Sequence, residues 1–308
     1  MKRGLLIYNP TAGQRDRRGA MSALIDEMRG RGLELVNAPT EGPGHATEIV
    51  RTFLSRGLDV VAAAGGDGTI SEVACGLAGS SVPLAVLPAG TSNVLVRELA
   101  IPLDLAAASQ LLLTGVPRRL RLLLANDRPF LLWAGVGLDA RIMGHTNATL
   151  KRWLGRTGIF LTVAREFFRY EFPNLEVTID GARHEATFAV ICHVRHYAGD
   201  WIIAPQASPD SDEVDVLLFE GRQRFRFFRL FRQLQLGRSG HLERGIAEIR
   251  RGRHVSIRSL ESYPIEVHVD GDHVLETPIT CRATDQTVSV LVPARAEADA
   301  RASISDLV

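Results

Sequence analysis

The stretch Val60-Val61-Ala62-Ala63-Ala64-Gly65-Gly66-Asp67-Gly68-Thr69-Ile70-Ser71-Glu72-Val73 constrains this chain more than any other. Its apolar run reads as a buried parallel strand, its glycines as a tight turn, and Thr69 to Leu77 as the helix that follows. Strand, turn and helix in that order form one unit of a parallel sheet covered by helices. Without Cβ atoms the glycines let the backbone approach an anion and aim successive N–H groups at it, and the helix N-terminus adds favourable partial charge. The turn therefore reads as a phosphate cradle, or more plainly as a structural strand-to-helix connection. An acidic residue inside such a cradle, Asp67, needs a task, such as holding a metal ion against the phosphates.

Two similar turns accompany it. Asn9-Pro10-Thr11-Ala12-Gly13 follows the first strand, and Pro88-Ala89-Gly90-Thr91-Ser92-Asn93 follows the fourth. Turns at the carboxyl ends of parallel strands lie where open α/β sheets bind ligands. In this order the motifs resemble the diacylglycerol kinase catalytic family, which includes bacterial lipid kinases and the sphingosine and ceramide kinases. The resemblance runs from Asn9 to about Val292. It implies a Rossmann-like three-layer α/β domain that binds nucleotide, residues 1–120 with the tail 293–308 folded back onto it. A β-sandwich domain for the lipid substrate, residues 121–292, would follow, as in the NAD kinase/diacylglycerol kinase-like fold.

The residues themselves divide the chain in the same place. Strands near Leu5, Leu33, Val60 and Leu84 alternate with helices near Gly19, His45, Thr69 and Ser92. Ile101-Pro102-Leu103-Asp104 breaks the helical pattern, and Leu105 to Leu113 reads as a further helix. Hairpins come next. Leu120 to Ala125 and Phe130 to Ala134 flank Asn126-Asp127, and Leu175 to Ile179 and Ala186 to His193 flank Asp180-Gly181. Strands are predicted at Val214 to Phe219, Val255 to Ser259, Ile265 to Val269 and Val288 to Val292, an antiparallel sandwich or flattened barrel.

Composition narrows the partners. A net charge of +1 over 308 residues argues against a general nucleic-acid binder. Lys2 and Lys151 are the only lysines, so any phosphate clamp must be arginine or backbone. Cys75, Cys192 and Cys281 are odd in number and lack a CxxC pair, which suits unpaired thiols in a reducing compartment. The first predicted strand begins almost at Met1 and no apolar stretch approaches about 18 residues. The expectation is a cytoplasmic protein, peripheral at the inner face of the membrane where its substrate lies.

Phosphoryl transfer needs the nucleotide held, its charge neutralised and a base within reach of the acceptor hydroxyl. By resemblance, ATP lies against Asn9, Pro10, Thr11, Ala12, Gly13, Thr40, Gly65, Gly66, Asp67, Gly68, Thr69, Ile70, Ser71 and Thr91. Arg15, Arg17 and Arg18 either meet phosphate or form the solvated start of the first helix. Ser71 stands where the family commonly has asparagine. Asp67 is expected to organise Mg²⁺ and the phosphates.

His268-Val269-Asp270-Gly271-Asp272-His273 resembles the family's Asp-Gly-Glu. The acid after the glycine is there assigned as proton acceptor, here Asp272, one methylene shorter, with Asp270 as the alternative. Taken alone, the same segment reads as a hairpin turn. Asp139 either orients a water or the lipid head group or caps a helix N-terminus. Ala204 to Asp215 resembles a loop that binds a structural Mg²⁺ through backbone carbonyls, here Ser208 and Glu213, and one Asp. Ser211 occupies the Asp position, leaving Asp210 or Asp212 as substitutes or the loop merely solvated. Residues 222–234 interleave arginine and phenylalanine as a basic amphipathic helix, either lying on an anionic bilayer or closing one end of the sandwich. His193 and His196 read as ordinary strand-end residues.

The resulting expectation is an ATP- and Mg²⁺-dependent kinase that moves the γ-phosphoryl group onto a lipid hydroxyl, diacylglycerol or a related lipid alcohol, with the nucleotide in a cleft between two domains. Two alternatives stay open: an NAD kinase, which shares the Gly-Gly-Asp-Gly-Thr turn, and a noncatalytic, nucleotide-responsive membrane-binding protein of the same fold.

Overall fold

The computed structural model describes residues 2–10, 18–145, 163, 165–221, 229–230, 232–233 and 247–296. The chain divides into two units, one of residues up to Leu120 with those from Gln286 onward, the other Arg121–Asp285.

The first unit alternates strand and helix: β1 (Lys2–Tyr8), α1 (Arg18–Gly30), β2 (Leu33–Pro39), α2 (His45–Leu54), β3 (Val60–Gly65), α3 (Asp67–Gly76), β4 (Leu84–Pro88), α4 (Val94–Glu98), α5 (Leu105–Ser109) and α6 (Leu111–Thr114). The strands pair in parallel in the order β2-β1-β3-β4. Val290, near the end of the last strand of the chain, joins beside Leu84. β3 and β4 are buried along their whole lengths, as continuous apolar runs in a parallel sheet should be. Two predicted helix boundaries shift. α3 begins at Asp67 instead of Thr69, because Gly66 takes the cap position in extended backbone and Asp67-Gly68 enter the first turn. The helix predicted at Leu105 to Leu113 is two short helices meeting at Gln110, the first capped by Asp104, which accepts the N–H of Ala107 at 2.9 Å.

The second unit holds β5 (Val116–Ala125), whose first residues belong to the first unit, β6 (Arg128–Phe130), β7 (Trp133–Val136), α7 (Leu138–His145), β8 (Leu175–Ile179), β9 (Ala182–Ala186) and β10 (Phe188–Cys192). It continues with β11 (His196–Tyr197), β12 (Trp201–Ile202), β13 (Val214–Phe219), β14 (Glu248–Gly252), β15 (His254–Ser259), β16 (Glu266–Val269), β17 (Asp272–Glu276) and the start of β18 (Ile279–Val292). Within this unit β18, β15, β8 and β9 are neighbours in one sheet, to which β5 and β6 attach, and β14-β13-β10-β7-β16-β17 form the other. Phe130, Val177, Ile257 and Ile279 from the first pack against Val136, Ile191, Val216 and Val267 from the second, which makes the unit a β-sandwich.

Two predicted strands are corrected. Phe130 to Ala134 is not one strand: β6 ends at Phe130 against β5, and β7 starts at Trp133 in the other sheet. Likewise Ala186 to His193 divides at Thr187, where the chain leaves β9 for β10. The predicted Asp180-Gly181 turn stands, with both residues at positive φ, 47° and 88°, as a type I′ hairpin requires.

Candidate active site

In the first unit, four strand ends carry the predicted nucleotide residues. The N–H of Asn9 donates to the Ala64 carbonyl at 3.2 Å and that of Thr40 to the Tyr8 carbonyl at 2.8 Å, so the turns after β1 and β2 leave the same sheet edge as Gly65. The turns after β3 and β4 touch: a Cβ on Gly90 would lie 2.6 Å from the Gly66 Cα, a contact only glycine permits. Gly66 to Thr69 are half-buried, Ile70 and Ser71 are buried, and Thr91 is exposed. A Cβ on Gly68 would meet nothing within 4 Å, so the start of α3 is open on that side.

Two acids of α3 hold neighbouring helices. Asp67 Oδ1 accepts the N–H groups of Val94 at 2.7 Å and Leu95 at 3.3 Å, which caps α4. Glu72, which the sequence did not single out, accepts the N–H groups of Gly44 at 2.8 Å and Ala46 at 3.1 Å and caps α2. Capping by a side chain from another helix leaves no local signature, since the usual signal is a Ser, Thr, Asp or Asn at the cap position itself. The start of α3 thus meets the N-terminus of α4 through Asp67, and the middle of α3 meets that of α2 through Glu72.

In the second unit, Asp270 and Gly271 both have positive φ, 51° and 92°, so Asp270-Gly271 is the hairpin turn between β16 and β17. The Asp270 carboxylate is buried and accepts the N–H groups of Leu131 and Leu132, each at 2.8 Å, and of Trp133 at 3.1 Å. It holds the corner where the chain passes from β6 to β7. Asp272, next in the hairpin, is partly exposed and pairs with Arg128 at 3.4 Å, a contact invisible in the sequence. Burial raises the Asp272 carboxyl above its ordinary value, Arg128 opposes this, and Asp270 adds to it.

Asp139 lies in the first turn of α7 but does not cap it. Its Oδ2 is 2.7 Å from Nε2 of the buried His268, and its Oδ1 accepts the Tyr197 hydroxyl. Burial, with Asp139 beside it, pushes the Tyr197 hydroxyl well above its usual range.

The loop predicted to bind a structural cation makes hydrogen bonds and ion pairs of its own. The Ser208 carbonyl accepts the Ser211 N–H at 3.0 Å, and Ser211 Oγ accepts the Glu213 N–H at 2.9 Å. Asp212 and Glu213 lie 3.5 and 3.8 Å from Arg253. Arg251 holds buried Asp215 at 2.8 Å and also donates to the Gln206 carbonyl at 2.5 Å. Among the described residues no group of three or more His, Cys, Asp and Glu side chains converges as a cation site. Two guanidinium groups thus stand against acids of this loop, Arg251 against Asp215 and Arg253 against Asp212 and Glu213. His193 is also more than a strand end: its buried ring sits between the Leu131 carbonyl, 2.9 Å from Nδ1, and the Ser211 carbonyl, 3.3 Å from Nε2. Burial lowers its pKa, and these two carbonyls oppose the shift.

Thr11, Ala12, Gly13, Arg15, Arg17, most of 222–234 and the tail from 297 lie outside the described residues. No helix among the described residues is long and apolar enough to cross a membrane.

Comparison with known proteins places these turns in context. Residues 3–125 match the diacylglycerol kinase catalytic domain, and residues 133–292 match the YegS C-terminal NAD kinase beta sandwich-like domain. A diacylglycerol kinase of Mycobacterium tuberculosis is 26% identical, over 93% of this chain and 94% of its own. A Pseudomonas aeruginosa protein named "Probable lipid kinase YegS-like" is 32% identical over 69% of this chain and 70% of its own. The crystal structure of a diacylglycerol kinase from Bacillus anthracis has the same fold, with a TM-score of 0.75 at 24% identity over 96% of this chain and 98% of that one.

Proposed function

The chain belongs to the diacylglycerol kinase catalytic family, and on that premise we propose that it is an ATP-dependent lipid kinase in which Asp272 takes the proton from the lipid hydroxyl. The observation that carries this reading is the extent of the likeness. It covers the glycine turns and continues to residue 292, past Asp270-Gly271-Asp272. Neither an NAD kinase nor a noncatalytic binder is favoured by the named relatives.

In this reading the first unit holds the nucleotide. N–H groups in the first turn of α3 donate to phosphate oxygens, and the turns after β1, β2 and β4 flank them. Mg²⁺ accompanying the nucleotide would neutralise phosphate charge, and Asp67 is the carboxylate of this turn suited to meet it. The lipid hydroxyl oxygen forms a bond to the γ-phosphorus while the bond to the β–γ bridging oxygen breaks, ADP leaves, and the hydroxyl proton passes to Asp272. Asp270 is the weaker candidate for base, because three backbone N–H groups already occupy its carboxylate. Diacylglycerol or a related lipid alcohol is the acceptor, reached by peripheral contact with the membrane.

The test is transfer of labelled phosphate from ATP, with Mg²⁺, to diacylglycerol, sphingosine, ceramide and phosphatidylglycerol in mixed micelles, with NAD as control. Labelled lipid is expected; labelled NADP, or no product while ATP still binds, would overturn the reading.

A further inference from the structure

Four groups of the second unit form a hydrogen-bonded chain that ends at the turn bearing Asp272. The Tyr197 hydroxyl donates to Asp139 Oδ1, and Asp139 Oδ2 meets His268 Nε2 at 2.7 Å. His268 Nδ1 accepts the backbone N–H of Gly271 at 3.3 Å. Because Nδ1 is used as an acceptor, the ring proton sits on Nε2 and points at Asp139, which fixes both tautomer and ring plane.

The surroundings are built for this arrangement. His268 is fully buried, and its partner across the strand pair is Gly135. A Cβ at Gly135 would stand 2.1 Å from Asp139 Oδ2 and 2.3 Å from His268 Nε2, so a glycine in mid-strand makes the space that the Asp139–His268 hydrogen bond fills. At the other end, the Trp133 ring packs on Tyr197 with centroids 5.5 Å apart and holds the phenol toward Asp139. A strand residue that needed only to fill the core would not require a buried acid, a missing Cβ and an aromatic brace.

We propose that His268, oriented by Asp139 and Tyr197, is a positioning residue that holds the Asp270-Gly271-Asp272 turn and thereby aims the Asp272 carboxylate at the acceptor hydroxyl. This rests on Asp272 being the proton acceptor. His268 does not touch the reactants; it acts through the Gly271 backbone. Displacing a catalytic carboxylate by about 1 Å can cost on the order of 100-fold in rate, so loss of the His268 contact should be read in kcat.

The two ring nitrogens can be tested separately. Asn presents an oxygen near the place of Nδ1, whereas Gln presents its amide near that of Nε2. His268→Leu is expected to lower kcat about 10-fold or more with KM for ATP unchanged, His268→Asn to keep most of the activity, and His268→Gln to resemble Leu. In an Asp272→Asn background, His268→Leu should cause no further loss, because a positioning residue has nothing left to position. Tyr197→Phe removes only a hydroxyl and keeps the test available where the Leu variant does not fold; it should lower kcat severalfold at unchanged KM for ATP. A His268→Leu enzyme with near-normal kcat, equal losses for Asn and Leu, or an undiminished loss in the Asp272→Asn background would overturn the proposal. So would a Tyr197→Phe enzyme with unaltered kcat. Full turnover in Asp272→Asn alone would remove the base assignment instead, which separates the two failures.

Discussion

The carboxylate of Asp270 accepts the N–H of Leu132 at 2.8 Å across 138 residues of sequence, and it is shared with the N–H groups on either side, of Leu131 and Trp133. The Leu132 carbonyl of that corner accepts the His193 N–H at 2.9 Å, while the three N–H groups go to Asp270, which stands in for a strand on that side. Asp270→Ala would leave three buried donors unsatisfied, at about 1–3 kcal/mol for each such group. The expected result is a loss of several kcal/mol in denaturant unfolding, whereas Asp272→Asn should lose turnover with stability nearly unchanged. Equal stability for both variants would contradict the division of labour between the two acids.

Asp67 serves two purposes that substitution can separate. Its Oδ1 caps α4, a contribution of about 1 kcal/mol, and its charge lies beside the open start of α3. Asp67→Asn keeps a capping oxygen and removes the charge, so it should fold normally and lose most activity with Mg²⁺–ATP. Asp67→Ala should lose that activity and about 1 kcal/mol in addition. If the Asn variant keeps full turnover, Asp67 is a cap and nothing more.

How much of this could be read from residues depends on whether the signal was local. Gly65 to Gly68 and Asp180-Gly181 announce themselves because glycine and the residues beside it decide a turn within four positions. The sheet changes at Leu131 and Thr187 do not, since an apolar run looks the same whether it stays in one sheet or crosses to the other. What marks the first crossing is Asp270, far away in sequence. The same holds for the site: Arg128 beside Asp272, and Asp139 with Tyr197 around His268, are pairings made only by the folded sandwich. Asp67 and Asp272 were legible because each sits next to a turn-forming glycine; their partners were not.

The pH profile should report Asp272. A base must be ionised, so activity rises with pH through its pKa. Burial places that pKa above the usual aspartate value, and the opposing charge of Arg128 limits the rise. The acid limb of kcat/KM for the lipid acceptor should therefore lie above that of an ordinary aspartate. Arg128→Met removes the charge that favours the carboxylate, so the limb should move to higher pH. A shift to lower pH, or none, would show that Arg128 does not act on Asp272.

Arg251 and Arg253 stand against acids of the 204–215 loop, and its stability is expected not to depend on divalent cations. Arg251 donates to Asp215, whose side chain is 2% exposed, while Arg253 meets Asp212 and Glu213 on the surface. Stripping a buried carboxylate of its partner costs about 3–5 kcal/mol, and an exposed pair contributes about 0–1 kcal/mol. Arg251→Met should therefore destabilise the protein strongly and Arg253→Met hardly at all. Thermal unfolding without nucleotide should give the same Tm in Mg²⁺ as in a chelator, because Arg253 already stands against Asp212 and Glu213. A chelator-induced drop in Tm that added Mg²⁺ reverses would mean that a cation holds the loop after all, and Ser211→Asp would then be expected to tighten it.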